Sequence, residues 1–128
     1  MIKTGTGNFC NSGWRGIMGG GCHTFGVWFN KGLRNERQCG PHPGTSIIPC
    51  NKFKAGTKYW ITIVRKGNSG TMTVYNVKGS WDMGSKVASK TYNIGVASYT
   101  QGIKTVARAH GSSEKMTGWI YCLDFKNT

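Results

Sequence analysis

Apolar and polar residues alternate most clearly in the second half of the chain. From Thr57 onward, short runs of β-branched and aromatic residues are split by turn residues at roughly 8–12-residue spacing, the pattern of a sandwich or barrel. Thr57–Lys66 carries Tyr59, Trp60, Ile61, Ile63 and Val64 with little alternation, which predicts a strand buried on both faces. Gly67-Asn68-Ser69-Gly70 reads as a turn. In Thr71–Val77, Met72 and Val74 share one face while Thr71, Thr73 and Tyr75 share the other, so the two runs predict a hairpin. Lys86–Tyr92, Asn93–Tyr99 and Gly102–His110 predict further strands. Met116–Phe125 sets Trp119, Tyr121, Leu123 and Phe125 on one face, with Ile120, Cys122 and Asp124 on the other. In the first half, Cys22–Asn30 predicts a strand with core positions Phe25, Val27 and Phe29 and with Trp28 opposite, and Thr45–Ile48 predicts a short one. Helix signals are nearly absent.

Composition supports an all-β reading. The chain has 20 Gly, only two Leu (Leu33 and Leu123) and five Ala, whereas helices lean on Leu and Ala. An aromatic fraction of 12% argues against disorder. A length of 128 residues predicts a single domain over 1–128, able to bury a core of its own. The longest apolar run, Tyr59–Val64, is interrupted by Thr62 and falls far short of the ~20 residues of a membrane helix. Met1-Ile2-Lys3-Thr4-Gly5 is followed by no apolar segment, so no signal peptide is expected. The compartment stays open, with an extracellular or virion surface the favoured setting.

The hairpin Lys58–Tyr75, the run Gly118-Trp119-Ile120-Tyr121-Cys122-Leu123-Asp124-Phe125 and the segment Phe25-Gly26-Val27-Trp28-Phe29 carry a family resemblance. Together they resemble the concanavalin A-like jelly rolls of laminin-G/pentraxin type, which pair an aromatic-rich strand, a Gly turn and a strand ending in Val-Tyr. The likeness covers about a third of the chain and consists of hydrophobic patterning. It implies an antiparallel β-sandwich of jelly-roll type and a lectin-like, glycan-binding role. The chain departs from the family in its charge. Its four acids, Glu36, Asp82, Glu114 and Asp124, are scattered. A calcium site needs six to eight oxygens, usually several from carboxylates, so none is expected.

Charge gives the sign of the partner. Seventeen Lys and Arg against four Asp and Glu leave a formal net charge of +13. Such an excess repels itself and draws anions. The partner classes are an anionic glycan or other polyanion, nucleic acid, an anionic membrane surface and further copies of the chain. Arg34, Arg37, Lys52 and Lys54 are candidate ligand contacts. So are Lys104 and Arg108, which would share one strand face with Val106 between them. Trp60, Trp28 and Trp119 sit in strand patterns and are expected in the core. Trp14 and Trp81 lie beside Gly, Ser and Arg15 in loop-like stretches, and Trp14, Arg15 and Trp81 are expected as exposed contacts for sugars or bases.

The five cysteines are Cys10, Cys22, Cys39, Cys50 and Cys122. In an oxidising compartment the short spacings suggest Cys10–Cys22 and Cys39–Cys50 bridges with Cys122 free in the last strand, while an alternative joins Cys10 to Cys122. Spacing alone does not decide the pairing. Cys39-Gly40-Pro41-His42, with Cys22-His23 and Cys50, has a partial zinc pattern, but no second pair at ligand spacing accompanies it, so no metal is expected. No paired carboxylates, nucleophile motif or phosphate loop is present, so neither an enzyme nor a cofactor is expected. The leading expectation is therefore a non-catalytic, lectin-like module for anionic ligands. The alternatives are a viral coat or filament protein with a basic surface facing nucleic acid, and a Cys-stapled toxin acting on anionic membranes.

Overall fold

The computed structural model describes residues 2–4, 10, 15–19, 25–37, 46–93, 105–106 and 118–124. These hold the strands β1 (Ile2–Thr4), β2 (Arg15–Gly19), β3 (Phe25–Phe29), β4 (Gly32–Arg37) and β5 (Ile48–Pro49), then one 3₁₀ turn (Cys50–Lys52). The strands β6 (Lys58–Lys66), β7 (Ser69–Lys78), β8 (Asp82–Asn93), β9 (Thr105–Val106) and β10 (Gly118–Ile120) complete the set. They form two five-stranded sheets in the orders β10-β1-β6-β7-β8 and β5-β4-β3-β2-β9. Every strand pair is antiparallel. No helix among the described residues is long and apolar enough to cross a membrane.

The period-2 pattern explains where the core lies. Ile17, Val27, Phe29, Leu33 and Ile48 of the β5–β9 sheet and Tyr59, Met72 and Val74 of the β6–β8 hairpins form one buried cluster. Phe53, just after the 3₁₀ turn, joins the layers. Its ring meets Phe29 edge-on at 5.0 Å and Tyr59 at 5.3 Å. Burial of each such side chain is worth about 1.5–3 kcal/mol. Tyr59 also accepts a hydrogen bond at its hydroxyl from the Lys54 backbone N–H at 2.8 Å, so the segment that carries Lys52 and Lys54 is anchored from beneath.

Two glycines are there because nothing larger fits. Gly32 has φ +124, and a Cβ would stand 2.4 Å from the Ile48 carbonyl oxygen and from Ser46 Oγ. Gly70 lies opposite Tyr92 across β7 and β8, and a Cβ there would stand 2.6 Å from the tyrosine ring. The ring lies over Gly70, and its hydroxyl donates to Asn35 Oδ1 on the other sheet. Asn35 Nδ2 donates to the Gly26 carbonyl at 2.8 Å. A buried amide is thereby satisfied on both its oxygen and its nitrogen.

Several sequence expectations are corrected. β6 is not buried on both faces. Only one side faces the core, and Val64 on the other is 64% exposed. Trp60 lies on that outer side, half-buried rather than in the core. Arg34 and Arg37, expected as ligand contacts, lie in strand β4, where Arg34 and Asn35 find hydrogen-bond partners inside. Arg15 starts β2 instead of lying in a loop. Lys86–Asn93 belongs to one strand that begins at Asp82. The last strand ends at Ile120, since Cys122 takes φ 49 and cannot continue the extended backbone. The cysteine pairing is also different. Cys10 bonds to Cys50, with Cα atoms 5.1 Å apart, which rules out Cys10–Cys22, Cys39–Cys50 and Cys10–Cys122. Cys122 is free and exposed, but after the strand rather than within it. Trp14, Cys22, Cys39, the run 94–99, Lys104, Arg108 and the side chains of Trp28 and Trp119 lie outside the described residues.

Candidate functional site

The outer face of the β6–β7–β8 sheet follows directly from strand register. Cross-strand partners point to the same side. Trp60 faces Tyr75, which faces Lys86; Thr62 faces Thr73, which faces Ser89. Val64, Thr71 and Thr91 form the next row, and Lys66, Ser69 and Asn93 the last. This is the side opposite to Ile61, Ile63, Met72 and Val74. Two β-bulges in β8 shift its pairing with Val74–Val77 and bring Met83 opposite Val77.

At the end where β6 begins, side chains from three elements meet. Lys58 enters from β6, Trp81 from the β7–β8 turn and Tyr121 from the residue after β10. Trp81 and Tyr121 stand edge to face, with centroids 5.4 Å apart and planes at 79°. The Lys58 Nζ lies 5.0 Å from the Trp81 centroid and 5.5 Å from that of Tyr121. It also donates to the Ser80 carbonyl at 3.3 Å. Trp60 Nε1 donates to the Trp81 carbonyl at 2.9 Å, which ties the turn to the strand. Trp81 nevertheless remains 51% exposed. A cation over exposed rings gains about 0.5–1 kcal/mol, enough to orient the lysine without hiding it.

Chemically, this corner offers an exposed aromatic surface beside a positioned ammonium. An aromatic face stacks on the apolar side of a sugar or on a base, and the ammonium hydrogen-bonds an anionic oxygen. Among the described residues no group of three or more His, Cys, Asp or Glu is placed to hold a metal ion. At the opposite end of the same face, Lys66, Asn68, Ser69, Thr91, Tyr92 and Asn93 line an open groove.

The residues expected from sequence are distributed unevenly. Trp81 lies at the corner. Lys52 and Lys54 are exposed on the segment leading into β6. Arg34 is 5% exposed and its Nε donates to the Asn30 carbonyl at 2.9 Å, so it is a structural residue and not a surface contact. Arg15 and Arg37 are described by their strand positions alone, opposite Phe29 and Phe25. Trp14, Lys104 and Arg108 lie outside the described residues. Sequence reasoning missed Lys58, Trp60 and Tyr121 as site residues. The available signal was the spacing Lys58-x-Trp60 within a strand, which puts a cation and an indole on one face.

The chain matches no protein-family model, no curated protein and no solved structure. Fold and site therefore define the class on their own. The protein is an all-β domain of two antiparallel sheets, stapled by one described disulfide, with an aromatic and cationic corner exposed on one sheet.

Proposed function

We propose that the protein is a non-catalytic binding module for anionic glycans, lectin-like in action, built on a concanavalin A-like jelly roll. Two antiparallel sheets around one core support the jelly-roll part of this reading. The observation that carries the ligand class is the Lys58 ammonium held against the exposed Trp81 ring and the half-buried Tyr121 ring. Sugars present an apolar face and, when uronated or sulfated, an anionic edge. A ring beside a fixed cation recognises both at once. Lys52 and Lys54, exposed a few residues upstream, and the net charge of +13 add attraction at longer range.

Binding of the purified protein to a panel of neutral, uronate and sulfated oligosaccharides tests the reading. Anionic members are expected to bind and to weaken as salt rises. Trp81→Ala is expected to reduce affinity by about tenfold or more, as loss of an exposed stacking platform does, with the protein still folded and its melting temperature only a few degrees lower. Unchanged binding by Trp81→Ala and Lys58→Gln would overturn the site. Binding of single-stranded nucleic acid with no sugar hits would overturn the ligand class.

A further inference from the structure

We infer that the whole outer face of β6, β7 and β8, from the Trp81 corner to the groove beside Lys66, is one continuous track for an extended, linear anionic polysaccharide. This rests on the glycan reading above and deepens it, from a single sugar-binding corner to a chain-binding surface.

Length is the first argument. Lys58 to Lys66 runs the full length of β6, about 26 Å at ~3.3 Å per residue, room for several sugar rings laid end to end. The face is also open. Val64 and Met83 are 64% and 47% exposed, and Lys66, Ser69, Lys86, Ser89, Thr91 and Asn93 are all exposed. Charge complementarity is the second argument. Lys58, Lys86 and Lys66 are distributed along it, and no position of β6, β7 or β8 described above as facing this side is acidic.

The middle of the track supplies neutral hydrogen bonding. Thr73 and Ser89 share a hydroxyl–hydroxyl bond at 2.8 Å, and Thr71 and Thr91 share another at 3.0 Å. Thr73 itself is buried, so it positions the exposed Ser89 hydroxyl from beneath, while Thr71 and Thr91 are half-buried and exposed. Each hydroxyl has one donor and two lone pairs, so Ser89 and the Thr71–Thr91 pair keep hydrogen-bonding capacity on neighbouring rows, suited to the many hydroxyls of a sugar chain. The groove lined by Lys66, Asn68 and Asn93 gives the far end a cation and two amides.

The same layout argues against a single-stranded nucleic acid. Such ligands stack successive bases on aromatic side chains along the path. Here Trp60, Tyr75, Trp81 and Tyr121 gather at one end, and the rest of the face is hydroxyl, amide, lysine and the aliphatic Val64 and Met83, with no further ring among its described residues to stack on.

The test is a chain-length series. The folded protein is titrated calorimetrically with oligouronates and, separately, sulfated oligosaccharides of two, four, six and eight sugars, with oligothymidylates of matched charge as a third arm. Affinity is expected to rise by about tenfold or more from the disaccharide to the hexasaccharide as contacts to charged groups are added, and then to level off. Whichever glycan series climbs identifies carboxylate or sulfate as the recognised anion. Lys66→Gln and Val64→Glu, both at exposed positions in the half of the track away from the corner, are expected to abolish the gain with length. Both should leave disaccharide binding and the melting temperature unchanged. Equal affinity for short and long chains, or a length dependence indifferent to both variants, would overturn the track and leave the corner intact. No glycan binding at any length, with or without oligothymidylate binding, would overturn the glycan reading itself.

Discussion

The hydroxyl of Tyr92 ties one sheet to the other, and its removal has a calculable cost. Tyr92→Phe keeps the ring over Gly70 and takes away the donor to Asn35 Oδ1. Asn35 is 3% exposed, and its amide nitrogen stays committed to the Gly26 carbonyl, so the residue is not free to turn toward water. An acceptor stranded in this way costs about 1–3 kcal/mol. For a domain of 128 residues that corresponds to a melting temperature lower by roughly 4–15 °C. Urea and thermal melts followed by circular dichroism measure it. A second variant separates this bond from general loosening. Asn35→Leu removes the acceptor itself, so once it is present Tyr92→Phe has little left to break. The double variant should be less destabilised than the sum of the singles by about 1 kcal/mol or more. A Tyr92→Phe protein within about 0.5 kcal/mol of the parent, the range of ordinary surface changes, would refute the reasoning, and so would strict additivity.

Three further outcomes are expected. Gly32→Ala should cost more than about 2 kcal/mol in a urea melt, since it combines a forbidden φ with a steric clash, and the β4–β5 pairing near Ile48 should lose amide-exchange protection first. Cys10→Ser opens a crosslink spanning 40 residues, which should lower stability by about 4 kcal/mol on loop entropy; adding reductant should then bring the parent down toward the variant. Met72→Ala, at a fully buried position, should cost about 2–5 kcal/mol, whereas Val64→Ala on the outer face of the same sheet should stay within about 0.5 kcal/mol.

Local pattern reveals what local physics decides. The β6–β7 hairpin was legible because Met72 and Val74 alternate with threonines on either side of a Gly-Asn turn, and the structure buries that face. β4 was hidden because Gly-Leu-Arg-Asn-Glu-Arg has a single apolar residue. Its Arg34 and Asn35 are buried by hydrogen bonds to the Asn30 and Gly26 carbonyls and from Tyr92, which is 57 residues away, and no hydrophobic pattern signals any of them. The disulfide was misassigned for a related reason. Closing a longer loop costs little more than closing a short one, so proximity in sequence is weak guidance, and folding brings Cys10 to Cys50. Trp81 announced itself by its Gly- and Ser-rich surroundings. Its companions Lys58, in β6, and Tyr121, just after β10, come from distant points in the chain, and the corner exists only once β1 and β7 have placed β10 and the β7–β8 turn around β6.

β8 is the last strand of its sheet among the described residues, and at 12 residues it is the longest of them. A long bare strand edge is a template on which other chains aggregate. Two register shifts bend this one near Tyr75, and Lys86 and Lys90 set charges along it. The irregularity of β8 thus works as protection, keeping neighbouring molecules from adding a strand. Deleting Val87 removes one of the two shifts, and with Lys86 and Lys90 both replaced by threonine the same edge would become a nucleus for fibrils, while the outer face would lose the Lys86 charge.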